Sequence, residues 1–158
     1  MRLRQSVRAL ILDQDDAVLL VRFEWPGGPD GGFWANPGGG IEPGESRLEA
    51  LQRELREEVG LVVTELGEEV WTKSAIFPMT GWDGQVDHIY LHRVLRFDPD
   101  PALSTEELTA EHVHELRWWP LSTLLRSDAT FSPRALATLL PDLLEDRASV
   151  LPVVISGF

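Results

Sequence analysis

The chain has 158 residues, of which 43% are hydrophobic and 25% charged, and these proportions are typical of a globular protein rather than a disordered one. We therefore expect one domain over residues 1–158, large enough to bury a sizeable core. The sequence contains no cysteine, which excludes disulfides, thiolate zinc sites and cysteine nucleophiles. Its net charge of −12 argues against a nucleic-acid polymer or an anionic membrane as the main partner, because both require a basic surface.

The start of the chain predicts a cytoplasmic protein. Residues 1–7 lead directly into a strand-like pattern and lack the apolar stretch and the small-residue cleavage site of a secretory signal. No segment is long and apolar enough to predict a membrane-spanning helix. The acidity still allows a phosphate-bearing small molecule to bind, provided that divalent cations lie between the two sets of negative charge.

The first part of the chain predicts a β-hairpin. Two apolar runs at 7–12 and 18–23 flank the turn-like residues 13–16. A loop rich in glycine and proline follows at 26–32, and the proline and three glycines at 37–40 predict another turn.

A helix is predicted to begin after residue 46. Ser46 and Glu49 have the spacing of a capping box, in which each side chain bonds to the backbone of the other residue. Gly60 is well placed to end the helix in the left-handed conformation. Four apolar residues recur at helical spacing between these two signals: Leu48, Leu51, Leu55 and Val59.

The remainder of the chain alternates between strands, loops and helices. The predicted elements are, in chain order, strands at 62–77 and 86–95 with a turn at 81–84 between them, a polar loop around 98–101, a strand at 115–119, and helices near 121–125 and 133–145. The apolar run at 150–155 is expected to cover either a sheet edge or a dimer partner. Strands that enclose a central helix, followed by further helices, predict an α/β sandwich on a mixed sheet.

Three glutamates lie on one face of the predicted helix. Glu54, Glu57 and Glu58 are spaced at i, i+3 and i+4, which brings neighbouring Cβ atoms to about 5–6 Å. Like charges at this spacing repel one another, and Arg53 and Arg56 are expected to point largely away from them. A divalent cation is the obvious compensating charge. Mg²⁺ prefers such oxygen ligands, and Mn²⁺ suits the same donors.

The segment around this helix resembles the Nudix box, G-x5-E-x7-R-E-U-x-E-E-x-G-U, in which U is a bulky aliphatic residue. It matches at every fixed position: Gly39, Glu45, Arg53, Glu54, Leu55, Glu57, Glu58, Gly60 and Leu61. The resemblance implies a Nudix-type α/β/α sandwich with a mixed β-sheet. It also implies a Mg²⁺-dependent hydrolase that cleaves a diphosphate linkage in a small nucleotide-like substrate.

The resemblance implies a role for each residue of the box. In the family, the glutamates that match Glu54, Glu57 and Glu58 bind the catalytic metals, and the backbone carbonyl at the position of Gly39 often adds a ligand. The arginine that matches Arg53 usually pairs with the glutamate that matches Glu45 in this chain. The implied reaction is attack of water on a phosphorus atom, with a metal that lowers the pKa of this water.

The sequence does not identify which glutamate takes the proton of the attacking water. Glu57 and Glu58 are candidates, and so is an acidic residue in the loop before the final strand. That loop offers Glu106, Glu107 and Glu111, among which we favour Glu111.

The box defines the reaction type and leaves the substrate open. A nucleoside di- or triphosphate, including an oxidised nucleotide such as 8-oxo-dGTP, is the first hypothesis. ADP-ribose, a nucleotide sugar or a dinucleoside polyphosphate is the alternative. A catalytically silent Nudix module that binds a ligand is a third hypothesis, although such relatives usually lose glutamates that this chain retains. A monomer and a homodimer fit the sequence equally well.

Several tryptophans are candidates for nucleobase stacking. Trp118 and Trp119 are expected in the core at the last strand. Trp25, Trp34 and Trp82 lie in or beside loops, where they either stack on a base or anchor the loops by packing.

Overall fold

The computed structural model describes residues 1–148 and 150–158. Within them lie four helices: α1 (Arg47–Glu58), α2 (Thr105–Ala110), α3 (Leu121–Arg126) and α4 (Leu136–Leu144). The strands of the same residues are β1 (Leu3–Leu12), β2 (Val18–Phe23), β3 (Phe33–Ala35), β4 (Gly38–Gly40), β5 (Glu68–Met79), β6 (Trp82–Arg93), β7 (Val113–Trp119), β8 (Phe131–Ser132) and β9 (Val153–Ser156).

These strands form one mixed sheet. Its order is β8-β3-β2-β1-β6-β5-β9, while β4 also pairs with β1 and β7 also pairs with β2. β6 is the parallel neighbour of β1 over the whole length of β1, whereas β5 and β6 form a long antiparallel hairpin. The parallel pairing of β1 with β6 places residues that are far apart in sequence side by side at the centre of the sheet.

The predicted hairpin at the start of the chain is confirmed. Oδ1 of Asp13 accepts hydrogen bonds from the backbone N–H groups of Asp15 and Ala17, and these bonds close the turn. β1 and β2 are paired next to this turn, at Leu12 and Val18, and then diverge toward different partners. The divergence leaves room between them for β4, on which the functional site depends.

Helices cover both faces of the sheet, as the α/β/α prediction requires. On one face, Leu51 and Leu55 of α1 and Val59 directly after it are fully buried against alternate residues of β1, including Val7 and Ala9. The opposite face packs against α3 and α4. The sheet is thus the middle layer, and burial of this apolar surface is the main source of stability.

The predicted signals of α1 are all present. Ser46 and Glu49 form both hydrogen bonds of the capping box. Gly60 has φ +76, the left-handed conformation expected after the helix end. The predicted loop after β6 bonds to the free carbonyls of the last turn, because the backbone N–H of Asp100 donates to Val59 over 3.0 Å.

The turn predicted at 37–40 is wrong, because Gly38–Gly40 forms the strand β4 instead. Gly38 pairs with Arg8 and has φ +144. A Cβ at this position would collide with the backbone of Val7 and Arg8, so only glycine lets the two strands approach so closely. The glycines therefore serve strand pairing rather than a change of direction.

Two other boundaries differ from the prediction. The strand predicted at 62–77 begins only at Glu68, because Val63 packs into the core from a loop that is held by a hydrogen bond from Gln52 to its carbonyl. The turn predicted at 81–84 is shorter, since β6 begins at Trp82. The short helix α2 lies in a stretch for which the sequence predicts a loop.

The apolar C-terminal run lies at a sheet edge. β9 pairs in parallel with β5, from Val153 beside Trp71 to Ser156 beside Ser74. The predicted strand at 115–119 and both predicted C-terminal helices are present as β7, α3 and α4. Among the described residues, the longest helix has 12 residues, and none is long and apolar enough to cross a membrane.

The end of α1 yields a first prediction. Gly60→Ala should destabilise the fold by about 1–2 kcal/mol from left-handed strain alone. It should cost about 1 kcal/mol more because its Cβ would collide with the Asp100 carbonyl and disturb the bond that Asp100 donates to Val59. Urea unfolding measures the sum of these two contributions to the free energy of unfolding.

Gly44→Ala is the matched control, because Gly44 has φ +84 and no neighbour within 4 Å of an added Cβ. It should show the strain without the collision. Equal losses of stability in the two variants would contradict the proposed role of the loop around Asp100.

Candidate functional site

Two glycines of β4 hold the carboxylates of α1. The backbone N–H of Gly38 donates to Oε1 of Glu58 over 2.8 Å. An ideal Cβ on Gly39 would lie only 2.5 Å from Oε1 of Glu54, so a larger residue would displace this carboxylate. The close approach of helix and strand therefore places Glu54 and Glu58 together against the backbone.

Arg53 ties the preceding loop to the helix. Its Nε and Nη2 donate to the two oxygens of Glu45 over 2.7 and 2.9 Å, a bidentate pair. Nη1 donates to Oε1 of Glu54 over 2.9 Å, and Nη2 also reaches the Gly40 carbonyl. The expectation that Arg53 points away from the carboxylates is therefore wrong, because Glu45 folds back and draws the guanidinium toward them. Arg56 is exposed, as expected.

Three carboxylates from two separate helical segments come together beside β4. Glu54, Glu58 and Glu111 each place an oxygen within 4.8 Å of the others. Glu111 directly follows α2, whose own Glu107 is occupied in capping the helix start at Ser104. Oxygen donors at this spacing are those that Mg²⁺ and Mn²⁺ prefer, so the residues present fit a divalent cation.

The other predicted ligands border this group. Glu57 is half-buried, with an oxygen 3.6 Å from Nη1 of Arg53. Gly39 lies directly against the carboxylate of Glu54. The three carboxylates that lie closest to one another thus include Glu111. Glu57 lies beside this group on the helix.

A cavity of about 600 Å³ is connected to the carboxylates by two of the residues that line it. Arg8 lines it and interacts electrostatically with Glu58, and His112, which follows Glu111, lines it as well. Most of its wall is apolar, and its volume is that of a small-molecule site. Aromatic residues form much of this wall: Phe23, Trp25, Phe33, Phe77 and Phe158.

Comparison with known proteins places the chain in a family. A family model described as the NUDIX domain matches residues 2–140. The chain belongs to the Nudix family. Among curated relatives, the nucleoside triphosphatase NudI of Escherichia coli K12 is 45% identical over 137 residues, which cover 85% of this chain and 94% of the relative. NudI of Escherichia coli O17:K52:H18 is 38% identical with the same coverage.

Solved Nudix structures share the fold. The MutT protein from Methanosarcina mazei Go1 superposes with a TM-score of 0.65 at 23% identity, covering 94% of this chain and 97% of that one. The Nudix domain of Shewanella oneidensis NrtR, solved with ADP ribose, gives a TM-score of 0.66 at 22% identity over 91% of this chain and 90% of that one. The predicted Nudix fold is thereby confirmed, and the chain is a Nudix hydrolase.

Burial opposes ionisation of the carboxylates in this Nudix hydrolase. Desolvation, reinforced by the nearby Glu54, raises the pKa of Glu58 to about 8. Desolvation also raises the pKa values of Glu54 and Glu111, although the charge of Arg53 opposes both shifts. The hydrogen bond from Arg53 instead lowers the pKa of Glu45. Full ionisation of the group therefore requires a further positive charge, which a divalent cation supplies.

The sequence analysis missed the charged residues that line the cavity. Arg8 on β1, Lys73 on β5 and Asp87 on β6 all face it and are largely buried. Each of these residues is a charged residue within a strand. Such a residue could have been recognised as a site candidate, since a buried charge needs a partner. Nothing in the local sequence indicated that these three residues meet.

The tryptophans lie in the core, in the cavity wall and, for Trp82, at the start of β6 with Arg2 over its ring. Trp118 and Trp119 are buried as predicted, and Trp34 is buried as well. Trp25 lines the cavity, where it packs edge-on against Phe33 with ring centroids 5.2 Å apart.

Metal-free protein should lose stability as the pH rises. The folded chain keeps the Glu58 proton up to about pH 8, because its pKa is raised to about 8 from 4.5, whereas the unfolded chain releases it near pH 4.5. The unfolded state thus binds fewer protons between these values, and stability should fall by about 1 kcal/mol per pH unit. Urea unfolding in EDTA from pH 5 to 8 measures this slope.

Glu58→Gln is the control for this slope, because glutamine keeps the oxygen that accepts from Gly38 and cannot ionise. Its stability should vary less with pH, and Mg²⁺ should stabilise the unmutated protein most at pH 8. An identical slope in both proteins would rule out Glu58 as its source.

Proposed function

We propose that this Nudix hydrolase uses Mg²⁺, or Mn²⁺ in its place, to cleave a diphosphate linkage in a nucleoside di- or triphosphate. Oxidised nucleotides such as 8-oxo-dGTP are candidate substrates. The observation that carries the proposal is the junction of two features. The carboxylates Glu54, Glu58 and Glu111 are connected, through Arg8 and through His112 next to Glu111, to an aromatic cavity of about 600 Å³. We further propose that residues 1–158 act as one catalytic domain, since Phe158 lines this cavity.

The two ends of this site match the two parts of a nucleotide. Trp25 and Phe33 offer aromatic surfaces to a base, and Trp25 is still 40% exposed and thus accessible. The carboxylate end suits a polyphosphate only when cations separate the negative charges. The NudI relatives are nucleoside triphosphatases, which supports the same assignment of substrate class.

We assign the cation to Glu54 and Glu58, with Glu57 and the Gly39 carbonyl as further donors. When bound, the divalent cation supplies Lewis-acid chemistry, offsetting phosphate charge and lowering the pKa of attacking water. Gly38 fixes Glu58 by its backbone N–H, and Arg53 fixes Glu54 through Nη1. These contacts hold the donors in place before the substrate arrives.

Glu111 is the proposed general base. It faces Glu54 and Glu58 from a different element and is exposed, so that an attacking water can reach it. Desolvation and the charge of Glu57 raise its pKa above the usual value, which makes it a stronger base near neutral pH. The bond between phosphorus and the leaving phosphate oxygen breaks as the water oxygen bonds to phosphorus and Glu111 takes the proton.

A hydrolysis panel, in which the products are separated and identified by chromatography, tests the substrate class. It contains the nucleoside triphosphates, 8-oxo-dGTP, ADP-ribose, nucleotide sugars and dinucleoside polyphosphates, each with Mg²⁺ or Mn²⁺. We expect turnover of nucleoside triphosphates that requires the metal and falls at least about 100-fold in Glu58→Gln. Glu106→Gln, which removes an exposed carboxylate of α2, should keep full activity.

Turnover confined to ADP-ribose, a nucleotide sugar or a dinucleoside polyphosphate would contradict the proposed substrate. No turnover of any compound, despite metal binding at the carboxylates, would favour a silent binding module instead.

The role of Glu111 has its own test. Glu111→Gln should lower kcat about 100-fold or more while leaving KM nearly unchanged, because the proton acceptor is lost and the substrate contacts remain. The Mg²⁺ concentration for half-maximal activity should stay the same. Recovery of full kcat at high Mg²⁺ would identify Glu111 as a metal ligand rather than the base.

A further inference from the structure

Arg8 lies where the cavity meets the carboxylates. It projects from β1 into the cavity, and only 16% of its side chain is exposed. Its charge interacts with Asp87 and also with Glu58 and Glu54 of the carboxylate group. Arg8 is therefore the cation that links the two ends of the site.

Two contacts fix the guanidinium and leave one nitrogen available. Nε donates to Oδ1 of Asp87 over 3.1 Å, and Nη1 donates to the Asn36 carbonyl over 2.8 Å. Within the part of the chain that the structure describes, no hydrogen bond involves Nη2. A purely structural pair would be bidentate, like that of Arg53, in which Nε and Nη2 donate to the two oxygens of Glu45. The orientation of Arg8 instead leaves donor capacity for a ligand.

The wall around Arg8 carries more positive than negative charge. Asp87 faces both Arg8 and Lys73, whose Nζ lies 3.3 Å from Oδ2. Burial would raise the pKa of Asp87, but the charges of Arg8 and Lys73 outweigh it and lower this pKa to about 2. Within the cavity wall, one carboxylate thus faces two cations, and this local positive charge suits a bound anion.

The position of this charge indicates which anion it receives. A nucleotide with its base against the aromatic wall and its diphosphate at the carboxylates must place the nucleoside-linked phosphate between them. A planar guanidinium binds phosphate oxygens with defined geometry. We propose that Arg8, held by Asp87 and Asn36, forms a subsite for the phosphoryl group that stays on the nucleoside. This inference rests on the proposed function and adds a positioning role for Asp87.

Binding of nucleoside monophosphates tests the subsite. Calorimetry with Mg²⁺ compares the four deoxynucleoside 5′-monophosphates with their nucleosides, on unmutated protein and on Arg8→Met. A monophosphate has no diphosphate linkage, so the measurement is independent of turnover, and failure of the proposed hydrolysis appears separately in the substrate panel. We expect Arg8→Met to weaken monophosphate binding about tenfold or more and to leave nucleoside binding unchanged.

Lys73→Met is the matched control, because it removes the other cation beside Asp87. Lys73 donates to Ser132 and lies under the Phe158 ring, so its loss should weaken monophosphate binding much less. Arg8→Lys keeps a positive charge beside Asp87, and it replaces Arg8→Met in the experiment if that variant does not fold. It should lose part of the phosphate preference, since a lysine lacks the planar fork.

Three results would overturn the subsite. The first is unmutated protein that binds monophosphates no better than nucleosides. The second is an equal loss of monophosphate binding in Arg8→Met and Lys73→Met, which would indicate general charge attraction. The third is an equal loss of both ligands in a folded Arg8 variant, which would indicate a structural role for the Arg8–Asp87 pair.

Discussion

Gly38 donates its backbone N–H to Glu58, and Gly39 leaves the space that the Glu54 carboxylate occupies. This contact between β4 and α1 positions the site, because it brings two acidic side chains against a backbone that accepts no Cβ. It also explains why β1 and β2 diverge after their shared turn, since β4 pairs with β1 in the space between them. The strand β4 thus belongs to the central sheet and also positions the site.

The contact concentrates negative charge, and the neighbouring cations are arranged around it. Arg53 neutralises part of the charge from the solvent side through Glu45 and Glu54. Arg8 does so from the cavity side. Neither suffices to ionise the buried Glu58, whose pKa is raised to about 8. A site with this deficit of positive charge favours a divalent cation, and with it a phosphate-bearing ligand.

The mixed sheet brings the two ends of the site together. β1 carries Arg8, and its parallel partner β6 carries Asp87, so the cationic wall is built across the centre of the sheet. The carboxylates lie on the helix that covers one face, while the aromatic wall combines residues from β2, β3 and the C-terminal end of the chain. An acidic protein thereby presents a locally cationic surface inside its cavity.

Local sequence signals were enough to predict α1, its capping box and its end at Gly60, because these features depend on contacts between near neighbours. Apolar periodicity also predicted most strands and an α/β sandwich on a mixed sheet, whereas the α/β/α layers were implied by the resemblance to the Nudix box. Three features emerge only when the chain is folded: β4 is a strand, Glu111 joins Glu54 and Glu58, and Arg8 meets Asp87, 79 residues away. Strand pairing and close backbone approach join residues that no local spacing connects, and so these contacts leave little trace in the sequence pattern.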